Sequence, residues 1–194
     1  MGKNGVGILV DSHLRESVVE VRRVNDRLMT IKLVVGECTL NVVSAYAPQV
    51  GLDEEIKMRF WEGLDDIVCS IPPSERLFIG GDFSGHIGLS AGGYTEVHGG
   101  FGFGERNGGG TLLLDFSKAF DLVIANSSFP KQEEHLPPAS FLATIEEYIR
   151  EAPHAGPVSS RRLVKTGKYP GYTLLSYQHS LFSFFLFDHR NKYN

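Results

Sequence analysis

The sequence is poor in cysteine: Cys38 and Cys69 are the whole supply in 194 residues. Two thiols in a chain of this size make no disulfide framework. They fit a reducing compartment and read as buried free thiols. No stretch is apolar for the ~20 residues that a membrane-crossing helix needs. The longest apolar run, Leu181 to Phe187, is interrupted by Ser183. The opening MGKNGVGILVDSH is no signal peptide, because its apolar run is short and a charge follows. MGKNGV also lacks the Ser or Thr of a myristoylation site. These absences predict an intracellular protein, nuclear or cytoplasmic, with no membrane segment and no disulfide-linked partner. A positive excess is lacking too. The formal net charge is −4, so a nucleic acid would have to be met by a local patch and not by a global field. What is present is ordinary globular material, 42% hydrophobic and 22% charged, in a chain long enough for one domain with a real core.

The apolar pattern changes period along the chain. GVGILV (5–10) predicts a short strand. SVVEVRRVN (17–25) and LMTIKLVVG (28–36) alternate, and Asn25-Asp26-Arg27 between them predicts a hairpin turn. TLNVVSAYAP (39–48) predicts a strand halted by Pro48. Between 54 and 71 the period becomes helical, with Ile56, Phe60, Leu64, Ile67, Val68 and Ile71 on one face. Asp53 stands at the cap position, Glu54 and Glu55 suit the positive end of the helix, and Pro72-Pro73 stop it. RLFIGGDF (76–83) returns to strand, and a glycine-rich loop runs from Gly85 to Gly110. A second helix follows, with Leu112, Phe116, Ala119 and Phe120 on its apolar face, and then a strand, LVIANSSF (122–129). The pattern predicts a mixed α/β domain with long loops. From about Pro137 the rhythm breaks into Pro, Gly, Ser and basic residues, with one short helical segment (141–150).

Asp82 is the first chemical candidate. It ends an apolar strand among Gly80, Gly81 and Gly85, where a phosphate or hydrated ion can approach the backbone. A carboxylate there can ligate Mg²⁺ or orient a water, yet Mg²⁺ usually takes one or two carboxylates, so one Asp is half a site. A plain turn aspartate accounts for the same pattern. Tyr46 ends the strand NVVSAYAP, where its phenol can reach a phosphate across a cleft; a core tyrosine with a wet hydroxyl fits equally. GGFGFGERNGGG resembles a phosphate loop without the preceding strand or the following Lys-Ser/Thr, and Asn107 within it suits a helix cap. His86, His98, His135 and His154 show no metal-ligand spacing and read mostly as surface residues. Gln178-His179 and Asp188-His189 are steps in which a neighbour can orient an imidazole.

Three segments in order, SAYAP (44–48), GGDFSGHIG (80–88) and RNGGGTLLLDF…LVIANSSF (106–129), resemble the endonuclease/exonuclease/phosphatase superfamily, with its DNase I-like fold. Within it the chain is most similar to the retrotransposon-derived craniofacial development protein 2-like branch, related to the endonuclease domains of LINE-type elements. The resemblance covers about residues 3–136. It implies a four-layered α/β sandwich, two mostly antiparallel sheets flanked by helices, and Mg²⁺-dependent cleavage of phosphodiesters in DNA or RNA. Tyr46 matches the family's phosphate-contacting tyrosine. Asp82 matches the aspartate that positions or activates the attacking water and is a candidate metal ligand. Asn126 matches an asparagine of structural role, as Asn107 serves the helix it precedes.

The same resemblance marks departures. Ser84 stands where the family has asparagine, and its hydroxyl donates one hydrogen bond over a shorter reach. The family's first strands, including the one that ends in the metal-binding glutamate, have no counterpart here. His179 and His189 each fall near the family's closing histidine. The expected organisation is a partial, truncated endonuclease-type domain over 1–136 and a divergent, poorly ordered tail over 137–194, in which SLFSFFLF (180–187) is the segment suited to cover an exposed apolar face. Two functions follow as expectations: a metal-dependent nuclease, or a non-catalytic remnant of that domain that serves as an interaction module.

Overall fold

The computed structural model describes residues 5–10, 12, 14–128 and 183–188. Three strands come first, β1 (Val18–Arg23), β2 (Leu28–Val35) and β3 (Cys38–Tyr46), followed by α1 (Glu54–Ser70) and β4 (Arg76–Asp82). After a long loop come α2 (Gly108–Ala119), β5 (Leu122–Ile124), a 3-10 turn over Ala125–Ser128, and β6 (Ser183–Asp188). The strands form one sheet in the order β1-β2-β3-β4-β6-β5. β3 and β4 run parallel, joined by α1 as a crossover, and the other neighbours are antiparallel. The predicted mixed α/β class is what the chain adopts. Among the described residues there is a single sheet; a second one, expected from the resemblance, is not among them.

The central strands β3 and β4 are covered on both faces, while β1 is largely exposed. On one face α1 and α2 contribute Phe60, Leu64, Leu113 and Leu114 against Leu28, Val43, Leu77 and Ile79. On the other, Ile31, Leu33, Leu40, Val42 and Phe78 form a second cluster, with Ile8, Val10 and Leu14 packed on it. Two buried faces explain why β3 reads as a nearly continuous apolar run and not as an alternation.

Several expectations are corrected. GVGILV is no strand; Val6 is buried and Arg23 Nη2 donates to its carbonyl (3.4 Å), so the segment is held by packing and one side-chain bond and not by a ladder. Ile56 is exposed at the first turn of α1. Asp53 sits at the cap of α1, but its side chain caps nothing. On α2 the inward residues are Leu113, Leu114, Phe116 and Ser117, while Leu112 points outward. A run of three leucines spans most of a turn, so periodicity alone does not choose the face. LVIANSSF stops being a strand after Ile124, where the Ser127 hydroxyl donates to the Ile124 carbonyl (2.6 Å) and closes a turn. The thiols are not buried: Cys69 lies on the outward side of α1 and Cys38 is half-buried at the start of β3. Of the two described histidines, His98 is buried. Its Nδ1 accepts from the Gly100 N–H (2.9 Å) and its Nε2 meets the Gly88 carbonyl (3.3 Å), the pattern of a neutral ring that braces a loop.

From the tail, β6 enters the sheet between β4 and β5, pairing Phe187 with Phe78 and Ser183 with Asp82. Residues 183–187, the described part of SLFSFFLF, thus supply strand pairing to the free side of β4, whose backbone groups would otherwise form an edge. The helical segment 141–150, His135, His154, His179 and His189 lie outside the described residues. Among the described residues no helix is long and apolar enough to cross a membrane.

One polar triad joins β2, β3 and the turn before β4. The Glu75 carboxylate accepts from the Asn41 amide (2.8 Å) and pairs with Lys32 (3.0 Å). The Asn41 hydrogen bond, then Lys32, hold the Glu75 carboxyl below its ordinary value of 4.5, against the opposing effect of burial. A depressed folded-state pKa contributes stability that is complete above the unfolded value and is lost as the pH falls through the folded one. Unfolding midpoints measured from pH 6 to pH 3 should therefore fall for the wild type, and the fall below pH 4.5 should be shallower in Glu75→Gln.

A candidate phosphodiester site at the ends of two parallel strands

Tyr46 is the last residue of β3 and Asp82 the last of β4, and the parallel register pairs them directly. Paired residues of neighbouring strands project on the same face, so phenol and carboxylate stand side by side, on the face away from α1 and α2. The pairing extends one step beyond the strands, where the Ala47 N–H donates to the Asp82 carbonyl (2.8 Å). Carboxyl ends of parallel strands are the usual place for a ligand crevice in α/β sheets. One row inward, Ser44 pairs with Gly80, and its buried hydroxyl has no hydrogen-bond partner among the described residues.

The residues around Asp82 have separate structural duties. Gly81 must be glycine: a Cβ there would lie 1.8 Å from the Ala45 carbonyl oxygen. Phe83 turns to the helix side, buried, where its ring stacks on Trp61 (6.1 Å) and meets Phe60 edge-on (6.4 Å). Those contacts fix the chain immediately after Asp82 and leave the carboxylate on the opposite face. Ser84 has φ +49°, in the left-handed region, and its N–H donates to Asp82 Oδ1 (2.8 Å). The next turn is pinned by α2. Asn107 caps that helix, accepting from the Gly110 N–H (2.9 Å), and the same Oδ1 accepts from the His86 N–H (3.0 Å). Gly85 and Gly110 permit the close approach, since a Cβ on either would come within 2.5 Å of the opposing backbone. Asn126 lies in the 3-10 turn after β5, with its amide oxygen buried.

The position of Ser84 gives its identity a second consequence. Asparagine tolerates left-handed backbone better than serine. Ser84→Asn is therefore expected to raise stability by a few tenths of a kcal/mol, on the order of one or two degrees in Tm for a domain of this size. A lower Tm would contradict the conformational reading.

Two arginines escaped the sequence reading. Arg106 closes the loop after the site: its guanidinium donates to the carbonyls of Ile87, Ser90, Ala91 and Gly92 (2.9–3.3 Å) and stacks on Tyr94 at 4.8 Å. Arg27, in the turn before β2, donates to the Tyr46 carbonyl (3.3 Å), and its guanidinium lies 5.3 Å from the centre of the Tyr46 ring. In sequence Arg27 is one member of an Asn-Asp-Arg turn, and nothing local connects it to a tyrosine nineteen residues on. Tyr94 is a further member of the loop network. Its hydroxyl donates to Asp115 (2.7 Å), which holds its proton more tightly than usual.

The donor set for Mg²⁺ is incomplete. Asp82 offers one carboxylate, and one of its oxygens already accepts from Ser84. Among the described residues no group of three His, Cys, Asp or Glu could hold a metal ion. These residues do not by themselves fit a protein-held Mg²⁺.

No protein-family model matches the chain. Craniofacial development protein 2 of Bos taurus is 29% identical over 134 residues, which cover 69% of this chain and 22% of that protein. The protein of the same name from Tragulus javanicus is also 29% identical over 134 residues, covering 69% and 23%. The chain thus spans less than a quarter of the length of the curated relatives it matches. Among solved structures, the endonuclease domain of TRAS1, a telomere-specific non-LTR retrotransposon, aligns with a TM-score of 0.38 and 12% identity over 66% of this chain and 46% of that one. The branch suggested by SAYAP and GGDFSGHIG is the one that the sequence similarity reaches: over two thirds of its length, this chain is similar to craniofacial development protein 2.

Proposed function

We propose that the chain carries a nucleic-acid phosphodiesterase site of endonuclease type, centred on Tyr46 and Asp82. The observation that supports it best is their direct register at the carboxyl ends of β3 and β4, in a chain whose motifs resemble that superfamily. In this reading the Tyr46 hydroxyl donates to a phosphate oxygen. The Asp82 carboxylate accepts a proton from a water and aims it at phosphorus, a role that typically contributes 10²–10⁴-fold. Ser84 supplies one short-reach donor to the phosphate as its charge grows. The substrate class is DNA or RNA.

The incomplete metal donor set among the described residues favours a second reading, a domain that binds nucleic acid without cutting it. One experiment separates the two. Supercoiled plasmid is incubated with the chain and Mg²⁺, and binding to a labelled duplex is measured by anisotropy alongside. Slow nicking that rises about tenfold in Ser84→Asn, by restoring a longer donor, supports the phosphodiesterase. Binding without nicking in either protein supports the second reading, and neither binding nor nicking overturns both.

A further inference from the structure

We infer that Arg27 is a phosphate-binding residue of this site, sharing one phosphate group with Tyr46. The inference deepens the proposed function and rests on it for the substrate class.

The argument begins with charge. Asp82 is a carboxylate at the strand ends, and a phosphodiester is an anion, so the site needs a cation before the two can be neighbours. Arg27 brings one to Tyr46 itself. Its place is fixed at three points: its own N–H donates to Asn25 Oδ1 (2.8 Å), its carbonyl accepts from the Tyr46 N–H (2.9 Å), and its guanidinium donates to the Tyr46 carbonyl (3.3 Å). The guanidinium lies over the phenol ring at 5.3 Å. A guanidinium held over a ring by cation–π attraction and by one hydrogen bond still has N–H donors left for an oxyanion, in the fork that suits phosphate. No carboxylate forms an ion pair with Arg27 among the described residues, whereas Lys32, Lys57, Arg59 and Lys118 each have one. The side chain is half-buried. A half-buried arginine held against the phosphate-facing tyrosine, with donors to spare, is arranged for an anion. Lysine in its place would keep the charge but lose the planar stack and the fork.

The test uses the full chain and two probes. Inorganic phosphate is titrated while two NMR signals are followed, the arginine Nε–Hε that disappears in Arg27→Ala and the Tyr46 backbone amide, which every variant retains, and plasmid nicking is measured in parallel. Folding of Arg27→Ala and Arg27→Lys is checked by thermal unfolding. The inference predicts a saturable shift of the Arg27 signal, abolished phosphate binding in Arg27→Ala, and binding weakened about tenfold in Arg27→Lys. It also predicts that the salt slope of duplex binding falls by about one in Arg27→Ala. An unmoved Arg27 signal overturns it, whatever the nicking result. If Arg27 binds phosphate and no variant nicks DNA, the inference stands and phosphodiesterase activity is lost. If nicking depends on Asp82 and proceeds at the wild-type rate in Arg27→Ala, the activity stands and the inference falls.

Discussion

Gly81→Ala should leave no folded protein. The added methyl carbon would sit 1.8 Å from the Ala45 carbonyl oxygen and 2.7 Å from the carbonyl carbon. Both belong to β3, the strand that β4 pairs with along its whole length. Neither atom can yield as a flexible side chain would, so one of two central strands must move. Substitutions that force buried backbone apart fall in the rare class above about 4 kcal/mol, which approaches the whole stability of an ordinary domain. Circular dichroism and thermal unfolding read this directly. Gly51→Ala is the control: nothing lies within 4 Å of its added carbon and its φ needs no glycine, so its Tm should match or slightly exceed the wild type. A cooperative transition in Gly81→Ala within a few degrees of the wild type would mean that β3 and β4 do not pair as described.

Arg106→Ala should release the loop that follows the site. The guanidinium gathers four carbonyls from Ile87 to Gly92 and covers the Tyr94 ring. A hydrogen bond to a charged group contributes about 1.5–3 kcal/mol, and partly exposed ones fall at or below the low end. Allowing for that, the loss is expected to be about 3 kcal/mol. The carbonyls remain and must find water. Two readouts separate a local from a global effect. Limited proteolysis should cut between residues 87 and 106 much faster than in the wild type, while β1–β3 stay protected. Arg106→Lys should recover little, because a point charge cannot serve four carbonyls spread around a planar fork. Unchanged proteolysis in Arg106→Ala would show that the loop is held by its glycines and His98 alone.

How far the sequence foretells this structure differs from element to element. The strands of the antiparallel meander, α1 and the GGDF strand are legible because each has one dominant period and clear punctuation, Asn-Asp-Arg at one turn and Pro-Pro at another. The face of α2 is not, since three successive leucines satisfy more than one helical stripe and the packing of Gly109 and Gly110 against Ser84–Ile87 fixes which turns inward. GVGILV shows the limit of apolar runs: with no strand paired to it among the described residues, the segment is packed but not part of the sheet. The site divides in the same way. Tyr46 and Asp82 are each visible as a polar residue at a strand end, but their direct pairing is a matter of parallel register, which no local pattern carries. Arg27 reaches Tyr46 only because β2 and β3 pair Leu28 with Ala45. Ser84 is visible as a departure from a motif, while its left-handed backbone is a property of the turn into α2.

The central claim is that Tyr46 and Asp82 together handle a phosphodiester. Its most direct test is the rate of nicking of supercoiled DNA, in a buffer containing Mg²⁺, by the chain and by Asp82→Ala, with Tm measured on both. The account predicts slow nicking by the wild type, at least about 100-fold slower nicking by Asp82→Ala, and similar Tm values, because among the described residues that carboxylate accepts a hydrogen bond only from the Ser84 N–H. Equal nicking by the two proteins would contradict it.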